Sequence, residues 1–155
     1  MPIRSTTRVS LLSLVSIFVL LTSQVASAPA KPKPKPKVPL LYFTGAESFD
    51  QDGKHLIRYR YDVSNKYHYR PELFAAAPNL PPCGTNTNAS RTWVDLYDQN
   101  GKLLNSFCAF TWPGDLNQLW FALEEDLIPP SWVYIEMNDR QTNTKYKSIL
   151  AATVL

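Results

Sequence analysis

In TWVDLYDQNGKLLNSFCAF, residues 92–110, apolar and polar side chains alternate on both sides of a glycine. Val94 and Leu96 fall on one face, with Trp93, Asp95 and Tyr97 on the other, which is the period of a half-buried strand. Asn100-Gly101 tolerates positive φ at two successive positions, the requirement of a type I′ hairpin turn. The stretch therefore predicts a hairpin with strands at Thr92–Asp98 and Lys102–Phe110.

The same period recurs on either side. In HLIRYRYDV, Ile57, Tyr59, Tyr61 and Val63 share one face, while Arg58, Arg60 and Asp62 take the other. SWVYIEMND sets Val133, Ile135 and Met137 against Trp132, Tyr134 and Glu136. A short first strand is expected at Leu40–Phe43 and a last one within Lys145–Leu155, with Asp52-Gly53 as a further turn. GDLNQLWFAL reads two ways, because Leu116, Leu119, Trp120 and Leu123 also stand at helical spacing. Asp115 and Gln118 form a helix-opening pair, so a single turn there followed by a strand at Leu119–Leu123 is expected. About seven short strands and no long helix predict an all-β chain, a single antiparallel β-sandwich.

Ahead of that domain, Arg4 and Arg8 precede the apolar run Leu11–Leu21, and small residues follow up to Ala26-Ser27-Ala28. This is the three-part layout of a secretory signal peptide over residues 1–30. The apolar run is too short to span a bilayer comfortably. A retained anchor is the alternative, and four lysines just beyond the run bias its orientation against export. Cleavage after Ala30 avoids leaving Pro29 at the new N-terminus. Residues 31–39, KPKPKPKVP, can form neither helix nor sheet and predict a polyproline II linker. The β-domain is expected over residues 40–155, in a secreted or extracytoplasmic protein, associated with the cell envelope in one reading.

The 155-residue chain carries a formal net charge of +3, but unevenly. Six basic residues and no acids precede Val38, whereas the remainder holds ten Lys and Arg against thirteen Asp and Glu. The domain is mildly acidic. A nucleic-acid partner is not expected, because Arg58, Arg60, Lys66 and Arg70 are interrupted by Asp62 and read as solvated side chains of one strand and its flank. Lys31, Lys33, Lys35 and Lys37 could instead meet an anionic surface through the linker.

The two cysteines, Cys83 and Cys108, form an even set in a chain with an export signal, and a disulfide is expected. The alternative is a pair of small buried thiols in a reducing compartment.

Catalytic signals are sparse. His55 and His68 stand in no nucleophile motif, and Cys108 lies on an expected strand instead of an exposed elbow. Asp50-x-Asp52-Gly53 resembles the start of a calcium loop without its later ligands. The run Glu124-Glu125-Asp126 reads as solvated charge. Cysteine and histidine spacing fits no zinc site, and no glycine-rich phosphate cradle is present. No cofactor and no enzymatic activity are expected.

The segment that points furthest towards function is SNKYHYRPELFAAAPNLPPCGTNTNASR, residues 64–91, a long excursion in a small sandwich. Tyr67, His68, Tyr69, Arg70 and Phe74 crowd one strand end, with Cys83 tethering the far side. Aromatic and arginine side chains are the usual anchors of a binding patch, and aromatic faces suit sugar rings. The alternative is that they pack the loop over the sandwich as a satellite core. Asn88-Ala89-Ser90 is a glycosylation sequon or, equally, a polar turn.

LIPPSWVYIEMNDRQTNTKYKSIL, residues 127–150, carries a Leu-x-Pro before an alternating strand, an Asn, a polar turn and a closing Tyr-x-Ser. It resembles the last two strands of a fibronectin type III or related immunoglobulin-like domain. Tyr59 or Tyr61 would stand where such domains place an early tryptophan. The resemblance implies an extracytoplasmic binding or spacer module. Read from the long loop instead, the expected contacts are Tyr67, His68, Tyr69, Arg70 and Phe74, with a protein or glycan of the cell surface as partner. Two alternatives stand beside it: a purely structural envelope spacer, and a small hydrolase dependent on His68. The sequence sets no expectation for oligomeric state.

Overall fold

The computed structural model describes residues 37–81, 83 and 89–153. The expected signal peptide, Lys31, Lys33, Lys35 and the sequon Asn88 lie outside the described residues. The strands are β1 (Leu41–Gln51), β2 (Lys54–Val63), β3 (Thr92–Asp98), β4 (Leu103–Phe107), β5 (Leu119–Glu124), β6 (Trp132–Asp139), β7 (Thr144–Lys147) and β8 (Ala151–Ala152). They form two antiparallel sheets, one ordered β1-β2-β5, the other β4-β3-β6-β7 with β8 also paired to β6. The chain is all-β in the sandwich manner, and among the described residues helix is confined to 3-10 turns at Lys66–His68, Pro71–Phe74 and Pro113–Gln118.

Alternation places the core. From the smaller sheet, Tyr59, Tyr61 and Val63 on β2 and Leu119 and Phe121 on β5 are buried, and from the larger, Val94, Leu96, Val133, Ile135 and Met137. These residues belong to one cluster. Burying each large apolar side chain stabilises the fold by roughly 1.5–3 kcal/mol. Phe121 lies against Tyr59 and Tyr61 with ring centroids 4.9 and 6.0 Å apart. The Tyr61 hydroxyl, within 2.7 Å of Thr153 Oγ1, is pushed up to about 12, burial outweighing the hydrogen bond.

Three details depart from the sequence reading. The first strand runs to Gln51 because a bulge between Phe43 and Gly45 restarts the pairing with β2. The hairpin after β3 is the three-residue form, with Gly101 alone at positive φ (85°), while Asp98 caps it by accepting from the Asn100 and Lys102 amides. The two-residue turn with both φ positive is instead Asp52-Gly53, at 52° and 75°. The last strand is broken, since Ser148 Oγ accepts from the Ile135 amide and interrupts the ladder between β7 and β8. That break raises the strand count to eight.

The register brings Leu41 opposite Val63, Tyr61 opposite Leu119 and Thr92 opposite Asp139. Hence the described parts of loop 64–91 and the loops 108–118 and 140–143 gather at the end where the chain enters at Lys37. Backbone bonds join them, Arg140 N to Arg91 O at 3.0 Å and Ser90 N to Cys108 O at 2.7 Å.

Candidate functional site

The disulfide Cys83–Cys108 is formed, with Cα atoms 6.0 Å apart, and it ties the long loop to the segment after β4. Arg91, the residue before β3, donates from Nε and Nη2 to the two oxygens of Asp139 at 2.7 and 2.6 Å. Asp139 is 2% exposed and also accepts from Thr142 Oγ1 at 2.6 Å. Burial pushes its carboxyl up, but the Arg91 and Thr142 hydrogen bonds, the Gln141 amide and the Arg91 charge outweigh that and hold it at about 2. This pair locks the 140–143 turn against the start of β3.

On that base the five aromatic and basic candidates divide. Tyr69 and Phe74 are buried in the core, so they support the loop and do not face a partner. The reason is local: the 3-10 turn at Pro71–Phe74 rotates Phe74 inward, and Tyr69 lies edge-on to Tyr146 at 5.8 Å. The Tyr69 hydroxyl donates to the Lys37 carbonyl at 3.1 Å, and burial raises its pKa. Tyr67, His68 and Arg70 are exposed, Tyr67 at 67%.

The structure adds a residue the sequence reading missed. Trp112, half-exposed, sets its ring 6.0 Å from that of Tyr67 at a tilt of 45°. Asp115 fixes the turn beneath it: Oδ2 accepts from the Thr111 amide at 2.7 Å and from the Trp112 amide at 3.2 Å. A Cβ on buried Gly114 would fall inside the Trp112 ring, so only glycine allows the indole to lie there. The Lys66 ammonium sits 5.5 Å from the Tyr67 ring centre and bonds both oxygens of Asp62 at 2.7 and 2.6 Å. Burial lowers the Lys66 pKa, but the Asp62 bond and charge more than offset this and leave it raised. Asp62 in turn accepts from the Tyr42 hydroxyl at 3.0 Å.

The result is an aromatic ledge of Tyr67 and Trp112, flanked by polar groups and held by short turns. It can offer two tilted π faces to a planar or pyranose-like surface, with His68 and Arg70 as nearby polar groups. Glu124 ends β5, at the opposite end of the strands, and pairs there with Lys54, with Glu125 and Asp126 following it. Among the described residues, no three His, Cys, Asp or Glu side chains converge as metal ligands. No family model matches this chain, and neither a curated protein nor a solved structure matches it.

Proposed function

We propose that this is an exported, non-catalytic binding module of the fibronectin type III or immunoglobulin-like kind, which engages a protein or glycan at the cell surface through Tyr67 and Trp112. The observation that carries the reading is the pair of exposed rings 6.0 Å apart, on the end where three loops meet. Exposed aromatics fixed by the backbone lose little freedom on binding, which favours them as anchors. Export is supported by the Cys83–Cys108 bridge and by the layout of residues 1–30. The immunoglobulin-like assignment is supported by the division β1-β2-β5 against β4-β3-β6-β7. Its fourth strand pairs with the third, unlike the constant-type immunoglobulin arrangement.

The test is saturable binding of the mature protein to host cells and to a glycan array. Tyr67→Ala with Trp112→Ala is expected to weaken binding by about thirtyfold while the melting temperature moves by less than about 4 °C. No saturable binding by the unmodified protein would favour the spacer reading. Hydrolytic activity abolished by His68→Ala would favour an enzyme.

A further inference from the structure

The outer face of the larger sheet carries an open cleft of about 420 Å³ that shares no residue with the aromatic ledge. Asp95 and Tyr97 on β3 and Asn138 on β6 line it, and Arg140, Thr144 and Lys145, from the turn after β6 and the start of β7, complete it. Alternation explains the set, because the residues between them, Val94, Leu96 and Met137, are buried in the core. Asp139 also borders the cleft, but Arg91 and Thr142 already engage its carboxylate.

The lining groups are held in place. Asp95 accepts at Oδ2 from the Asn138 amide nitrogen at 3.1 Å and at Oδ1 from the Ser106 hydroxyl. The Tyr97 ring lies 20° from parallel to that of Tyr134 with centroids 5.3 Å apart, and the Lys147 ammonium stands 4.0 Å from the Tyr134 ring centre. Burial, then the charges of Asp95 and Glu136, raise the Tyr97 pKa, so its hydroxyl stays protonated. The Arg140 guanidinium lies 3.9 Å from the Trp93 ring centre, and one of its N–H groups bonds the Pro81 carbonyl at 3.0 Å.

This face is not arranged for stability alone. Asp95 stands directly opposite Glu136 in the register of β3 and β6, a like-charge pairing that weakens a sheet. Lys145 and Lys147 reach Glu136, at 3.6 and 3.9 Å, and Asp95 has no ion pair among the described residues. Asn138 Oδ1 is sheltered from solvent and accepts no bond there, which costs about 1–3 kcal/mol. Departures of this kind concentrate where a surface serves a ligand.

Charge and bonding capacity narrow the ligand. The carboxylates of Asp95 and Glu136 repel an anion, and among the described residues no three His, Cys, Asp or Glu side chains converge on a metal. Each Asp95 oxygen keeps a second lone pair after its internal bond, and Arg140 and Lys145 supply donors. A hydroxyl both gives and takes a hydrogen bond, so adjacent hydroxyls of a neutral sugar match this mixture, while the C–H face of the ring matches tyrosine. We infer that the outer face of β3, β6 and β7 binds a neutral saccharide, with Asp95 accepting from its hydroxyls, Arg140 and Lys145 donating to them, and Tyr97 against the ring.

The experiment is titration of the isotope-labelled mature protein with maltose, cellobiose, lactose and N,N′-diacetylchitobiose, read from amide chemical shifts. Expected is saturable movement of the Asp95, Asn138 and Thr144 amides with at least one of these sugars. Affinity should fall by about tenfold or more for Asp95→Asn and by about threefold for Lys145→Gln. Relief of the opposition to Glu136 should leave the Asp95→Asn melting temperature unchanged or higher, which loss of a purely structural carboxylate would not. If that variant fails to fold, Lys145→Gln, at an exposed site, decides in its place. No movement of these amides with any of the sugars would overturn the inference. So would binding by the folded variant as tight as that of the unmodified protein, or sodium sulfate moving the same amides in place of the sugars. Tyr67→Ala with Trp112→Ala should keep the response, and shifts confined to residues 66–68 and 112–115 would assign the sugar to the ledge and overturn the cleft.

Discussion

The Trp112 indole lies over Gly114 so closely that any side chain on the glycine would occupy the ring's own volume. The ring is half-exposed and can swing away. Gly114→Ala should therefore cost little stability, about 1 kcal/mol, while displacing the indole. The expected outcome is a changed near-UV circular dichroism spectrum with a nearly unchanged unfolding midpoint and, at the proposed cell-surface ligand, weakened binding. An unaltered spectrum would show that the ring does not depend on the glycine.

Asp139 supplies a pH dependence of definite sign. Its carboxyl is held at about 2 in the folded protein against an ordinary 3.8, so the native state favours the ionised form. The stability this gives is fully present above about pH 4 and is lost as pH falls towards 2, amounting to roughly 2 kcal/mol. Urea unfolding at several pH values should show that decline, with Asp139→Asn less stable at neutral pH and flatter between pH 4 and 2. Parallel profiles for the two proteins would remove Asp139 as the cause.

Phe74 and Tyr67 sit seven residues apart in one loop but in opposite environments. Phe74→Ala empties a fully buried site and should cost about 3–5 kcal/mol. Tyr67→Ala, at an exposed position, should stay within about 0.5 kcal/mol. Chemical denaturation of both variants checks this, and similar losses would mean that Tyr67 packs against the domain.

Asn65 imitates a strand neighbour by giving one bond to the Val38 carbonyl and taking one from the Leu40 amide. Asn65→Ala should cost about 1 kcal/mol and act locally. Hydrogen exchange at Leu40 should quicken by about fivefold while amides in β3 and β6 keep their protection. Uniform acceleration across the sheets would mean that the contact supports the whole fold.

Much of the architecture was legible because β2, β3 and β6 keep strict alternation, and Tyr59, Leu96 and Ile135 each fall inside as that pattern requires. Asp115 announced its turn through the spacing to Gln118, and the cysteine pair through its parity. The extension of β1 to Gln51 was hidden because the bulge before Gly45 resets the alternation midway. Ser148 concealed the break between β7 and β8, since its role is a bond to a residue on another strand. The ledge was half legible. Tyr67 stood out among neighbouring aromatics, but nothing local distinguishes it from Tyr69, whose inward turn depends on Lys37 and Tyr146 from distant segments. Trp112 was masked by FTWPGD, which reads as plain loop. The signal, in retrospect, was a glycine two residues after a tryptophan and followed by an aspartate.

The gathering of loops 64–91, 108–118 and 140–143 at the end where the chain enters also has a mechanical meaning. A pull between a partner held on Tyr67 and Trp112 and whatever holds the chain before Lys37 would cross only that end of the domain. The load would pass through the Asn65 bonds and the turn at Lys66–His68, with the Cys83–Cys108 bridge bracing the loops alongside. The strand ladders of both sheets would lie outside the line of force, so attachment under tension would strain the fastening and spare the fold.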